Sequence, residues 1–189
     1  MTVNVKEVGC VLIDTLDPYP LGYFITWTTY GTRLHGDGRG SVDRRHNVFC
    51  EPFLAPSPEF EAFHQRRLLQ RPYRLGRMQR KIVLQSLVET CEFCDWILLA
   101  AHVRLLHIHS VVQATCHPKK ILNKFKMMAS RRLNESGLEP HGRKRWTRRG
   151  STRYLWVPEG ISRAIAYTLE EQGQPFETYE RPGWNAMFF

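Results

Sequence analysis

The stretch Val103-Arg-Leu-Leu-His107-Ile-His109-Ser-Val-Val112 sets two histidines one residue apart inside an otherwise apolar run. Such a run reads as a buried strand, and strand side chains alternate between faces. His107 and His109 therefore point one way and Ile108 the other. Two imidazoles side by side on one sheet face can offer two nitrogens to one divalent metal. A core has little other use for the pair, because an imidazole buried without a partner costs free energy. The plainer reading, two histidines on the wet face of a half-buried strand, is weakened by the apolar residues on both sides.

The elements around this strand follow from local pattern. Gly22-Tyr-Phe-Ile-Thr-Trp-Thr-Thr29 is aromatic and β-branched and predicts the first strand. A long excursion at about 30–76 opens with the glycine-rich Tyr30–Ser41 and is broken by Pro52, Pro56, Pro58 and Pro72, with room for a short helix over 59–70. The spacing of Ile82, Leu84, Leu87, Val88 and Cys91 predicts a helix from Arg77 to about Cys94, and Trp96–Ala101 a second strand. Pro118 opens a helix whose apolar positions are Ile121, Leu122, Phe125, Met128 and Leu133, closed by Gly137. Tyr154–Val157 predicts a short strand, Pro158–Gln172 a last helix, and 175–189 an irregular tail. The order implies one α+β domain over 1–189, a small antiparallel sheet with helices packed on one face.

Composition narrows the class. At 189 residues, with 42% apolar and 12% aromatic residues, the chain supports one globular core. No run approaches the ~18–20 apolar residues of a membrane span, and the first residues lack the order of a signal peptide. A cytoplasmic, nucleoid-associated protein is expected. Five scattered cysteines, with a single Cys91-Glu-Phe-Cys94 pair, read as reduced thiols rather than a zinc ribbon.

The net charge of +9 has an address. Between Lys119 and Arg153 stand Lys119, Lys120, Lys124, Lys126, Arg131, Arg132, Arg143, Lys144, Arg145, Arg148, Arg149 and Arg153, against only Glu135 and Glu139. A solvated helix face usually mixes signs, so a one-sided block favours a polyanion. Trp146 among these cations adds a stacking surface of the kind single-stranded nucleic-acid sites use. Nucleic acid is the expected partner, ahead of an acidic protein or a membrane surface.

A basic protein with a two-histidine face invites a search for a nucleophile and a further ligand. On the last helix Tyr167 and Glu171 are four residues apart and would share a face. Imidazoles with a carboxylate suit Mn²⁺ or Mg²⁺, while histidines alone would also take zinc. A metal on a DNA phosphate would favour attack by the Tyr167 hydroxyl, giving a phosphotyrosine that conserves the broken bond's energy. The competing reading of Tyr167 is an ordinary core aromatic.

These features together resemble the single-tyrosine HUH transposases, and most of all the REP-associated tyrosine transposase group. The resemblance runs from about Tyr23 to Gln174. It rests on Tyr23-Phe-Ile-Thr-Trp-Thr28, the helix before Trp96, the histidine strand, Ser130-Arg-Arg-Leu-Asn134, Leu155-Trp156 and Ala164-Ile-Ala-Tyr167. It implies a ferredoxin-like fold and metal-dependent cleavage and joining of single-stranded DNA near hairpins, by a monomer or homodimer. His107 and His109 would be metal ligands and Tyr167 the nucleophile. Two departures stand out: Arg104-Leu-Leu106 replaces the usual Met-Pro-Asn/Asp before the first histidine, and Glu171 stands where an Asn is common. The third ligand is therefore open between Glu171 and His102. Two other functions compete: a hairpin- or single-strand-binding protein that has lost the chemistry, and a nuclease that uses water instead of Tyr167.

Overall fold

Strand β3 (His107–Gln113) occupies the centre of a five-stranded antiparallel sheet in the order β4-β1-β3-β2-β5. The computed structural model describes residues 19–38 and 55–188; part of the glycine-rich stretch and Pro52 lie outside them. β1 (Gly22–Thr28) pairs β3 with Thr26 opposite His109, and β2 (Ile97–Val103) flanks β3 with His102 opposite the same residue. β4 (Ser151–Leu155) pairs with β1, and β5 (Glu177–Glu180) with β2.

Helix α1 (Pro58–Arg66) sits in the excursion, capped by the Ser57 side chain, which accepts from the Phe60 amide. Helices α2 (Arg77–Phe93) and α3 (Pro118–Glu135) supply the two crossovers, β1 to β2 and β3 to β4. The first four strands and these two helices make the split β-α-β arrangement of ferredoxin-like domains.

Alternation along β3 sorts the core into two layers. Ile108 and Val112 join Tyr23, Ile25, Trp27, Val83, Leu87, Ile121 and Phe125 in the larger cluster under α2 and α3. Val111 faces the other way, with Leu99, Ala100 and Leu155 against Ile161 and Ile165 of helix α4 (Pro158–Leu169). The last helix thus departs from the expected one-sided packing. Ile161 and Ile165 form an apolar stripe of their own and cover the sheet's second face, the one that carries the histidines. The tail departs too, since Glu177–Glu180 adds an edge strand and Trp184–Met187 a 3₁₀ turn.

A bulge in β2 re-aims its last residues. Leu98 belongs to the α2–α3 layer, so strict alternation would send His102 there as well. The irregularity between Leu98 and Ala100 puts Leu99 and Ala100 into the α4 layer and returns Ala101 and Val103 to the larger core. His102 consequently lands on the face of His107 and His109.

Candidate functional site

The site lies where β3, β1 and the C-terminal end of α4 meet. His107 and His109 are on one face as their spacing requires, with ring centroids 4.8 Å apart. Phe24 stacks on His109 at 5.6 Å with an interplanar angle of 3°. The Tyr167 ring stands edge-on to both, 5.7 Å from His109 and 5.8 Å from Phe24. The sequence pair His-x-His and a tyrosine almost sixty positions later are thus in one place. Tyr167 is 41% exposed while His109 is 5% exposed, so the phenol is open to a large substrate and the imidazole is not.

His109 is poised as a ligand. Its Nδ1 is 2.9 Å from Thr26 Oγ1, and its Nε2 is buried with no hydrogen-bond partner among the described residues. With the proton on Nδ1 donated to Thr26, Nε2 keeps a free lone pair, the arrangement an outer partner imposes on metal-binding histidines. Burial pushes His109 down to about 3, helped by the nearby His107, His102 and Arg104. Burial, then Arg104, lowers His107 to about 4. Both rings are therefore neutral at pH 7, the form in which imidazole binds cations.

The remaining candidates separate. His102 is fully buried; its Nδ1 lies 3.0 Å from the Thr168 carbonyl and its Nε2 accepts the Phe176 amide at 3.1 Å. Both nitrogens are used, so His102 clasps the end of α4 to the segment entering β5 and has no lone pair for a metal. Glu171 is corrected by the length of α4. The helix ends at Leu169, so the four-residue spacing to Tyr167 no longer means a shared face, and Glu171 is exposed beyond it. Among the described residues no group of three His, Cys, Asp or Glu side chains gathers as a metal site. Gln172 turns inward instead. Its Nε2 donates to the Tyr167 carbonyl at 3.1 Å, and its amide is close enough to raise the basicity of both histidines slightly, against their burial. Nothing in the sequence pattern singled out Gln172, because a helical face was the wrong ruler past Leu169.

The basic segment divides. Helix α3 packs on the opposite side of the sheet from the histidines, so its lysines and arginines do not line the tyrosine. Arg145 is 4% exposed and ion-paired with Glu139 at 2.8 Å, a buried pair rather than a phosphate contact. Trp146 is no stacking surface either: its Nε1 donates to Ser130 Oγ and the Lys126 carbonyl, and its ring packs on Trp27 and Tyr73. Arg143 donates to the Gln70 side chain and to the Arg71 and Pro72 carbonyls. Arg132 bonds Glu89 and Glu135, and Arg131 bonds Glu135. Lys126 donates to the Thr147 and Arg149 carbonyls, and burial lowers it to about 8. Lys124 sits over the Phe93 ring. Lys119, Lys120, Lys144, Arg148 and Arg149 are exposed. On the histidine face itself the cations include Arg104, beside both histidines, Arg33, which also lowers His107, and Arg153, whose Cα pairs with Phe24. Strand register was the missing signal for Arg153.

No family model matches the chain, and no curated relative does. Among solved structures it is similar to a REP-associated tyrosine transposase bound to a REP hairpin, at 10% identity and a TM-score of 0.48. The similarity covers 90% of this chain and 72% of that one. No helix among the described residues is long and apolar enough to cross a membrane.

Proposed function

We propose that the protein is a DNA transposase or endonuclease that cleaves and rejoins single-stranded DNA near hairpins, with Tyr167 as its nucleophile. The observation that carries this reading is the meeting of an exposed phenol with a buried imidazole whose Nε2 makes no hydrogen bond of good geometry among the described residues, 5.7 Å between ring centroids. Hairpin-bearing DNA as the substrate class comes from the resemblance of the histidine strand and Ala164–Tyr167.

The donor set fits a divalent cation. Two neutral imidazoles, one with an orphaned buried nitrogen, and the Gln172 amide can hold Mg²⁺ or Mn²⁺ together with a phosphate substrate. A bound cation would supply neutralisation of the charge that develops on the phosphate. The chain's own groups do the rest. Phe24 and His109 fix the Tyr167 ring, and the His102 clasp fixes the end of α4 that carries it. Arg104 and Arg153 supply positive charge on the face where the strand must lie. The Tyr167 oxygen forms a bond to phosphorus as the bond from phosphorus to the 3′ oxygen breaks. The phenol loses its proton, the departing oxygen gains one, and the DNA 5′ phosphate stays on the protein.

The test is incubation of 5′- and 3′-labelled hairpin oligonucleotides with protein and Mn²⁺, read on a denaturing protein gel. Only the label on the 3′-side fragment should remain with the protein, and Tyr167→Phe should give neither adduct nor cleavage. Cleavage without an adduct would move the reading to a water-using nuclease. Hairpin binding without cleavage would leave a binding protein on a transposase-like fold.

A further inference from the structure

We infer that Tyr154 and Trp156, on edge strand β4 and just past it, form a base-stacking platform for single-stranded DNA, apart from the tyrosine site. The inference rests on the DNA reading above and adds to it a surface with a defined ligand chemistry. The two rings are nearly parallel, with centroids 6.0 Å apart and an interplanar angle of 11°. They are 40% and 60% exposed, and Trp156 is the one tryptophan of the five that is exposed. Tyr154 is braced from behind, since its ring meets the edge of buried Tyr23 at 5.2 Å. The platform is thus held in place before anything binds, which limits the ordering cost of binding.

Register places it on the α3 side of the sheet. Tyr154 pairs with Tyr23, a member of the α2–α3 core, whereas the neighbouring Arg153 pairs with Phe24 on the histidine side. Nothing pairs with the outer edge of β4 among the described residues.

The same edge carries cations towards its other end. Arg148 and Arg149 lead into β4, are exposed, and have no carboxylate partner among the described residues. Helix α3 approaches the same edge: the Leu122 side chain lies against Gly150, one turn after exposed Lys119. Exposed flat rings at one end of an edge whose other end carries unpaired cations fit an extended polyanion whose bases present π-faces. An apolar protein partner would leave those cations without counterparts. Duplex DNA keeps its bases stacked on each other, so the occupant is a single strand.

The experiment titrates the full-length protein with an oligo-dT strand of about twelve nucleotides and, separately, with a hairpin that has no single-stranded tail. Tryptophan emission and fluorescence anisotropy are both read. The dT strand should quench emission. Trp156→Leu should remove most of the quenching and weaken dT binding by about 5- to 150-fold, the range for losing one stacked base. Tyr154→Leu should act in the same direction, Trp156→Tyr should restore most of the affinity, and tailless-hairpin affinity should stay within about twofold. Phe93→Ala, at an exposed aromatic on α2, should change nothing. Unchanged dT affinity and quenching in Trp156→Leu would overturn the platform while leaving the proposed function standing. A wild-type protein that binds the hairpin but not dT would do the same. A wild-type protein that binds neither would overturn both.

Discussion

The two faces of the sheet use polar residues in opposite ways. On the α4 face His109 is buried, His107 half-buried and both are neutral, and His109 keeps a nitrogen with no hydrogen-bond partner among the described residues beside an exposed phenol. On the α3 face several charges are already spoken for: Arg145 by Glu139, Arg132 by Glu89 and Glu135, Lys126 by two carbonyls. Both faces hold buried polar atoms without a hydrogen bond among the described residues, Trp27 Nε1 and Arg145 Nη2 under α3 as well as His109 Nε2, but those two are donors and only the imidazole nitrogen can offer a lone pair to a cation. The paired charges mark much of the α3 face as architecture. Charge density along a sequence does not distinguish these cases; a lone pair left free beside an exposed phenol does.

One pair of substitutions should break the comparison apart if it is wrong. Arg145→Ala strands Glu139 without its cation in a buried site and should cost about 3–5 kcal/mol of stability. Tyr167→Phe removes one exposed oxygen and keeps the ring against Phe24 and His109, so its stability should stay within about 0.5 kcal/mol of wild type. Urea denaturation of both variants checks the contrast. A mild Arg145→Ala would mean that the basic segment is looser than the buried pair implies.

Acid should damage the histidine face first. An unfolded histidine takes up its proton near pH 6.5, whereas folded His107 and His109 resist until about 4 and about 3. Between those values the unfolded chain binds more protons, so stability falls as pH drops through this window and is fully present above it. With a chelator present, the loss from pH 7 to pH 4 owed to the pair should be about 3–6 kcal/mol, with the His107 share reduced by nearby solvent. Comparing the wild type with His107→Gln/His109→Gln isolates that part from the carboxylates. An identical acid slope in both proteins would show that the rings are not held neutral by burial.

How far the chain could be read in advance depended on range. Alternation around His107 and the helical spacing of Ile121 to Leu133 are local, so strands, crossovers and the same-face histidines were legible. Tyr167 could be nominated only with the resemblance of Ala164-Ile-Ala-Tyr167 to the transposase group, because its spacing alone fits an ordinary core aromatic equally. Three features were not legible, each for want of a long-range fact. The β2 bulge that turns His102 into the α4 layer shows only against the register with β3. The end of α4 at Leu169, which replaces Glu171 by Gln172, coincides with the His102 bond to the Thr168 carbonyl, made by a residue 66 positions away. Trp146 reads as a stacking residue among cations until Trp27 and Tyr73 are seen beside it.

The smallest expected effect sharpens the comparison most, because it asks whether the α3 face touches DNA at all. Lys119 is exposed on α3, and Arg148 and Arg149 are exposed in the loop whose Arg149 carbonyl accepts from Lys126 of that helix. If each contacts one phosphate on a single strand, each releases counterions worth about 0.7 in the slope of log affinity against log salt. Replacing all three by Gln should weaken binding across sequences and flatten that slope by about 2. The rate of adduct formation at saturating DNA should not change, because these cations hold the strand without reaching the reacting phosphate. Arg153→Gln, on the tyrosine face beside Phe24, should do the reverse, slowing the adduct more than it weakens binding. Equal effects of the two substitutions on rate and affinity would mean that the sheet does not separate holding from cutting.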